Sequence, residues 1–146
     1  MSRWRGAAAL AAMFLAGCSA PKPATSPFAL VFLTVANPQA PVLMTKIEGT
    51  LGLHGQCLAL MPDGGGPAFI VVWPHGYQAA ASGGDVVVDG PHGARAALGA
   101  RLALVGGPWE DSAENGKMRA RIDAMTGQHV PDGCDTGHYW VGGIDS

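Results

Sequence analysis

The sequence predicts an all-β domain, a small barrel of five to seven short strands pinned by one disulfide. Twenty-two glycines and eleven prolines in 146 residues fall in nearly every connection. They leave no window for a long amphipathic helix, and only the stretch from Arg95 to Leu98 is a candidate for a short one. Between these breakers lie apolar runs of strand length. Where polar residues enter the runs they alternate with apolar ones, the period of a sheet with one wet face. Closing such strands into a barrel also removes their exposed edges.

Phe28 to Val35 is a continuous apolar run, broken by Asn37-Pro38. Val42 to Leu53 follows, with Ile47, Leu51 and Leu53 on one parity and Glu48 and Thr50 on the other. Gly49, Gly52 and Gly55 suit a coiled strand, and the apolar set moves to even numbers at Leu58 and Leu60, which predicts a bulge near Gly55. Pro62 to Pro67 is a turn by composition. Ala68 to Trp73 reads as a buried strand ended by Pro74. Asp85 to Asp89 carries three valines, and Gly90-Pro91-His92-Gly93 then turns the chain. Arg101 to Val105 alternates with Leu102 and Leu104 inward, closed by Gly106-Gly107-Pro108. Trp109 to Gly116 is polar and loop-like. Met118, Ala120 and Ile122 alternate with Lys117, Arg119 and Arg121, which predicts a further short strand. His138 to Val141 is the last, and Trp73 and Trp140, each beside a valine, are expected to fill the barrel.

Two features resemble OB-type barrels. One is the long, glycine-kinked first strand, able to serve both sheets; the other is Leu98-Gly99-Ala100-Arg101-Leu102-Ala103-Leu104-Val105-Gly106-Gly107. More broadly, residues 47 to 142 resemble an uncharacterised domain of bacterial lipoproteins through Gly49-Thr50-Leu51, Cys57-Leu58, Val72-Trp73-Pro74, Gly106-Gly107 and Cys134. That resemblance implies an OB-like barrel and no established catalytic role.

The N-terminus carries an address. Arg3 and Arg5 precede an apolar segment from Ala7 to Ala16, which ends in Leu15-Ala16-Gly17-Cys18. The segment resembles the precursor signal of bacterial lipoproteins. The resemblance implies that Cys18 receives a diacylglyceryl thioether, that cleavage falls just before it and that the new amino terminus is acylated. Residues 1–17 are then a signal peptide, 18–27 the lipidated cysteine with a proline-rich linker, and 28–146 a single domain. The apolar run is shorter than the roughly 20 residues of a membrane span. Two or more acyl chains, at about 0.8 kcal/mol per buried methylene, would instead tether the protein to the surface. The expected location is the cell membrane or outer membrane, facing the periplasm or exterior. Ser19 resembles the outer-membrane class of a double-membraned bacterium, whose retained lipoproteins carry Asp at that position.

Cysteine usage agrees with export. Of three cysteines, the lipid would occupy Cys18, so Cys57 and Cys134 are left to form one disulfide in an oxidising compartment. The alternative is two buried thiols acting as small apolar residues. The formal charge is −2, and loss of Arg3 and Arg5 with the signal peptide makes it more negative. No basic cluster with interleaved aromatics exists to bind nucleic acid.

Candidate chemistry is sparse. His129, Asp132, Cys134, Asp135 and His138 are rich in metal donors, and His129, Asp132 and His138 could hold zinc or copper, with His54 or His75 arriving from elsewhere. The spacing matches no familiar zinc motif, and a bridged Cys134 cannot also be a thiolate ligand. Surface histidines beside a disulfide are the plainer reading. Asp135-Thr136-Gly137 spells the aspartic-protease tripeptide but lacks the preceding apolar strand and a second copy. No Gly-x-Ser-x-Gly elbow is present, and Gly64-Gly65-Gly66 lacks the Lys-Ser/Thr of a phosphate loop. Trp73, His75 and Tyr77 form a candidate rim for a ligand or partner. The expectation is a lipid-anchored, non-catalytic binding or structural module without a cofactor, contacting the membrane through its anchor and an envelope protein or glycan through its surface. The alternatives are a periplasmic metal-binding protein using the His129–His138 loop and a hydrolase with an unrecognised site.

Overall fold

A computed structural model describes residues 29–38, 44–82 and 84–145. The expected signal peptide, Cys18, the expected linker, Phe28 and Val42 lie outside these. The ten-residue strand β2 (Thr45–His54) turns through Gly55-Gln56 into β3 (Cys57–Pro62). Their antiparallel register pairs Leu51 with Leu60 and Leu53 with Leu58. The parity change between Leu53 and Leu58 is therefore a hairpin reversal, and no bulge is needed: a two-residue turn sets odd positions of one strand opposite even positions of the next. Gly55 supplies the left-handed φ of +59° that the turn requires.

β4 (Phe69–Trp73) continues the meander, while β8 (Arg101–Glu110) lies on the other side of β2, followed by β9 (His138–Ile144). β4 and β9 then pair in parallel, Ile70 with Tyr139, Val71 with Trp140 and Val72 with Val141. That last ladder closes a five-stranded, OB-like barrel in the order β2-β3-β4-β9-β8. A two-residue strand β1 (Leu33–Thr34) runs parallel to the end of β4. A separate antiparallel sheet contains β5 (Gln78–Ser82), β6 (Asp85–Asp89) and β7 (Arg95–Ala97).

Two apolar clusters hold this together. The first contains Leu51, Leu58, Leu60, Val71, Trp73, Leu104 and Trp140, drawn from all five barrel strands, with Val86, Val88 and Ala96 of the small sheet. It is the barrel interior, and the small sheet covers one end of it. The second lies on the outer face of β3, β4 and β9, where Cys57, Ala59, Ile70, Val72, Tyr139 and Val141 meet Met118, Ile122, Val130 and Cys134. β3, β4 and β9 are thus buried on both faces and read as continuous apolar runs, whereas β2, buried on one, alternates. Where β8 crosses β9 the backbones touch: a Cβ on Gly106 would run into the Val141 carbonyl and one on Gly142 into that of Val105.

Several expectations are corrected. Met118 to Thr126 is an α-helix, α1, and not a strand. Its buried residues Met118, Ile122 and Thr126 recur every four positions, a helical stripe, and the intervening basic residues only mimicked a two-residue alternation. The Asp111 carboxylate accepts the Met118 N–H at 2.6 Å, capping the first turn, and Gly127 at φ +67° ends the helix. Arg95–Ala97 is strand, not helix, because it extends the β6 ladder. β5, an Ala-rich strand without β-branched residues, has no signature in the sequence. β8 runs past Pro108 to Glu110, into the stretch read as loop; its pairing with β2 ends at Gly106, so the missing Pro108 N–H leaves no bond unmade on that side. The long first run shortens to β1 and a bridge of Val31 to Cys57. Among the described residues no helix is long and apolar enough to cross a membrane.

Candidate functional site

Cys57 at the start of β3 and Cys134 in the loop before β9 form the expected disulfide, with Cα atoms 5.7 Å apart and a separation of 77 positions in sequence. Both are fully buried. The bridge fastens the loop that carries most of the candidate residues to the outer face of the barrel.

Within that loop each polar group already has a partner. Asp135 Oδ1 accepts the Tyr139 hydroxyl at 2.7 Å and the Gly137 N–H at 3.0 Å. Burial would raise the Asp135 carboxyl, but these two hydrogen bonds and the Arg119 and Lys117 charges together hold it below the ordinary carboxylate range. Burial, reinforced by the hydrogen bond and charge of Asp135, pushes the Tyr139 phenol upward. The Asp-Thr-Gly tripeptide is thus a turn that seats a tyrosine. Because the folded carboxyl titrates below the unfolded one, its stabilisation is complete above the unfolded value and disappears as pH falls through the folded one. Tyr139→Phe should lower stability at pH 7 by about 1–3 kcal/mol and flatten the loss between pH 5 and pH 3, measured as urea midpoints. An acid limb identical to wild type would show that the pair does not couple.

Arg119 on α1 is the hub of the neighbouring cluster. Its guanidinium meets Asp132 Oδ1 at 2.5 Å, His129 Nε2 at 3.1 Å and the Val130 carbonyl. Arginine has only donors, so His129 Nε2 accepts and its Nδ1 carries the proton toward Asp123 Oδ2, 3.1 Å away. Both ring nitrogens are then occupied. His138 lies apart, its Nδ1 3.0 Å from Glu110 Oε1 and its ring edge-on to Phe69. The structure therefore does not assemble His129, Asp132 and His138 into a metal centre; among the described residues no three His, Cys, Asp or Glu side chains are placed to hold an ion. Hydrogen bonding to a helix arginine and oxidation of Cys134 consume the donors that proximity in sequence suggested. A shallow groove nearby is lined by Asp111, Ser112, Gly116 and Lys117, and there Asp111 already caps α1 and pairs with Lys117.

The rim residues divide. Trp73 is fully buried in the barrel, stacked between Phe32 at 5.9 Å and Tyr77 at 5.4 Å between ring centroids. Tyr77 is half-buried, its hydroxyl accepts the Ile144 N–H at 3.0 Å, and Gly90 and Gly143 leave room for its ring. It joins the small sheet to the barrel, so little of the ring is left for a ligand. His75 is exposed beside it. A residue that sequence reading passed over as a candidate is His92, in the turn between β6 and β7, exposed and held in the left-handed region at φ 59°, ψ 26°. That conformation costs a residue with a side chain about 1–2 kcal/mol, and such strain concentrates at functional positions. The available signal was a repeat: Pro74-His75-Gly76 recurs as Pro91-His92-Gly93.

Comparison with protein-family models, curated proteins and solved structures finds no match to the chain.

Proposed function

We propose that the chain is a lipid-anchored protein of the bacterial cell envelope whose barrel is a non-catalytic binding or structural module. The observation that carries this reading is the Cys57–Cys134 bridge, which leaves Cys18, in its Leu-Ala-Gly-Cys setting, as the one remaining cysteine. An intramolecular disulfide between buried cysteines is the habit of exported domains. The packed interior supports binding at the surface over enclosure of a ligand, since Trp73, Trp140, Val71 and the leucines of β2, β3 and β8 occupy the barrel.

The anchor would act at short range. The Val31 N–H donates to Gln56 O at 2.8 Å, Val35 N–H to Trp73 O at 2.8 Å and Ala36 N–H to Met125 O at 3.1 Å, lacing the start of the domain between barrel and helix. The eleven residue-to-residue steps from Cys18 to Ala29 span at most about 40 Å when extended. The domain would sit within about its own diameter of the cell membrane or outer membrane, facing the periplasm or exterior, with an envelope protein or glycan as partner and no part for nucleic acid.

Intact mass of protein extracted from native membranes tests the anchor. Wild type should lack residues 1–17, carry the mass of the acyl groups and need detergent for release, whereas Cys18→Ala should lose the acyl mass and leave the membrane fraction. Wild-type protein without added lipid mass would overturn the reading.

A further inference from the structure

β5 stands at the outside of the small sheet, paired with β6 on one side only. Which of its backbone groups stay open follows from the phase of the ladder. The Leu98 N–H donates to the Val86 carbonyl at 2.8 Å and the Gly90 N–H to the Ala94 carbonyl at 2.7 Å, so the even-numbered positions here face β7. In an antiparallel pair the bonding side alternates from residue to residue. Asp85, Val87 and Asp89 therefore face β5 and bond their register partners Ser82, Ala80 and Gln78. The N–H and C=O groups of Ala79 and Ala81 point away from the sheet, and among the described residues no strand pairs with them. The other edges are guarded. The Gln128 side chain covers β1, accepting the Thr34 N–H at 3.2 Å and donating to the Phe32 carbonyl at 3.1 Å. On the far side of β7 the Ala97 carbonyl accepts the Ala100 N–H at 3.0 Å, and Arg95 sets a charge on that edge. β5 carries no charge and no proline, and its register with β6 is unbroken by a bulge.

We propose that this edge pairs with its own counterpart in a second copy of the chain, the two β5 strands running antiparallel about Ala80. Ala79 of each copy then exchanges both of its open backbone bonds with Ala81 of the other, and every outward N–H and C=O of the two residues is met. Ala80 faces Ala80 across the two-fold axis, and the two small sheets become one. Charge favours a second copy. The chain is net negative, so two copies repel wherever acidic surfaces meet, but β5 brings no charged side chain to the seam. The nearest carboxylates are one strand back on β6, and of these Asp89 is paired with Arg95 at 3.6 Å. A foreign peptide added to a sheet edge is selected through pockets for its alternate side chains, and a run of alanines supplies none. Side chains this small also let the two backbones approach to bonding distance. Pairing two five-residue strands covers less than the roughly 1,200 Å² of a stable complex. The dimer is therefore weak in free solution and forms where copies share a membrane plane at high effective concentration. That confinement rests on the lipid-anchor reading; the strand pairing itself does not.

Cysteine cross-linking of the full chain tests the seam. A non-hydrogen-bonded pair holds its Cα atoms about 4.5 Å apart, within disulfide reach, so Ala80→Cys should give a covalent dimer on a non-reducing gel after mild oxidation of native membranes. Ala97→Cys is the control: Ala97 is equally exposed and lies in the same cross-strand row as Ala80, through Val87. It should cross-link about tenfold less. Adding Ala81→Pro to Ala80→Cys removes an outward N–H at an edge position that tolerates proline and should abolish the dimer; Ala81→Lys should do the same by placing a charge on the edge. Repeating the pair of cysteine variants on purified Cys18→Ala protein separates the two readings. Position 80 should still exceed position 97 there, at a rate about tenfold or more below that in membranes. Equal rates with and without Cys18 would remove the anchor's part and leave the seam. No excess of position 80 over position 97 in either setting, or a dimer unaffected by both substitutions at position 81, would overturn the seam.

Discussion

Replacing Cys57 and Cys134 together by alanine is expected to lower stability by about 3–4 kcal/mol. A bridge between residues 77 apart in sequence removes a large loop's entropy from the unfolded chain, worth about 4.5 kcal/mol in the chain-entropy model before any native-state strain is subtracted. That is a large part of the 5–15 kcal/mol that holds a typical domain together. The loss should not be uniform. The bridge holds the loop of Asp132–Cys134 against β3, so α1 and the loop should detach before the barrel opens. Urea unfolding followed by circular dichroism, with native-state hydrogen exchange of α1 and of β2–β3, would show both effects. Reductant should move wild type to the variant's midpoint and leave the variant unchanged. Equal midpoints for oxidised wild type and the variant would remove the bridge from the account of this fold.

Truncating Trp73 to alanine should cost about 3–5 kcal/mol, the range for emptying a large aromatic site. Trp73 is fully buried, and its ring is sandwiched by Phe32 from the N-terminal segment and Tyr77 from the first Pro-His-Gly turn. The cavity would reach three parts of the structure at once: the barrel, the segment leading to β1, and the small sheet fastened by Tyr77. Trp73→Phe should cost far less, about 1–2 kcal/mol. It retains most of the apolar area and deletes a buried indole N–H that has no partner among the described residues, an unmet donor being itself worth about 1–3 kcal/mol of destabilisation. Chemical denaturation read by circular dichroism avoids losing the reporter with the residue. If alanine and phenylalanine at position 73 cost the same, ring volume is not what this position contributes.

How much was legible follows from how many faces of each element are buried. Runs such as Phe69–Trp73 and His138–Val141 were readable as strands because both faces are covered and nearly every residue is apolar. β2 was readable because one face is wet and alternation survives. α1 was misread because a nine-residue helix with three buried positions offers too few repeats to separate a period of four from a period of two. β5 was missed because alanine has no strand preference of its own; its pairing with the valines of β6 makes it a strand. The candidate site divides in the same way. Donor-rich composition drew attention to His129, Asp132 and His138, but composition cannot show that an arginine on a helix lies within reach of them.

Local chemistry in the chain itself therefore determined the all-β class, the pairing of the two domain cysteines and the expectation of a lipid anchor at Cys18. Breakers, periodicity and the cysteine count act over a few residues or over the whole composition, and neither needs three-dimensional information. Only the tertiary structure decided that β4 and β9 close the barrel in parallel and that Arg119 occupies the donors of the loop. Each of these joins residues distant in sequence through a register set by packing, and packing is a property of the assembled chain.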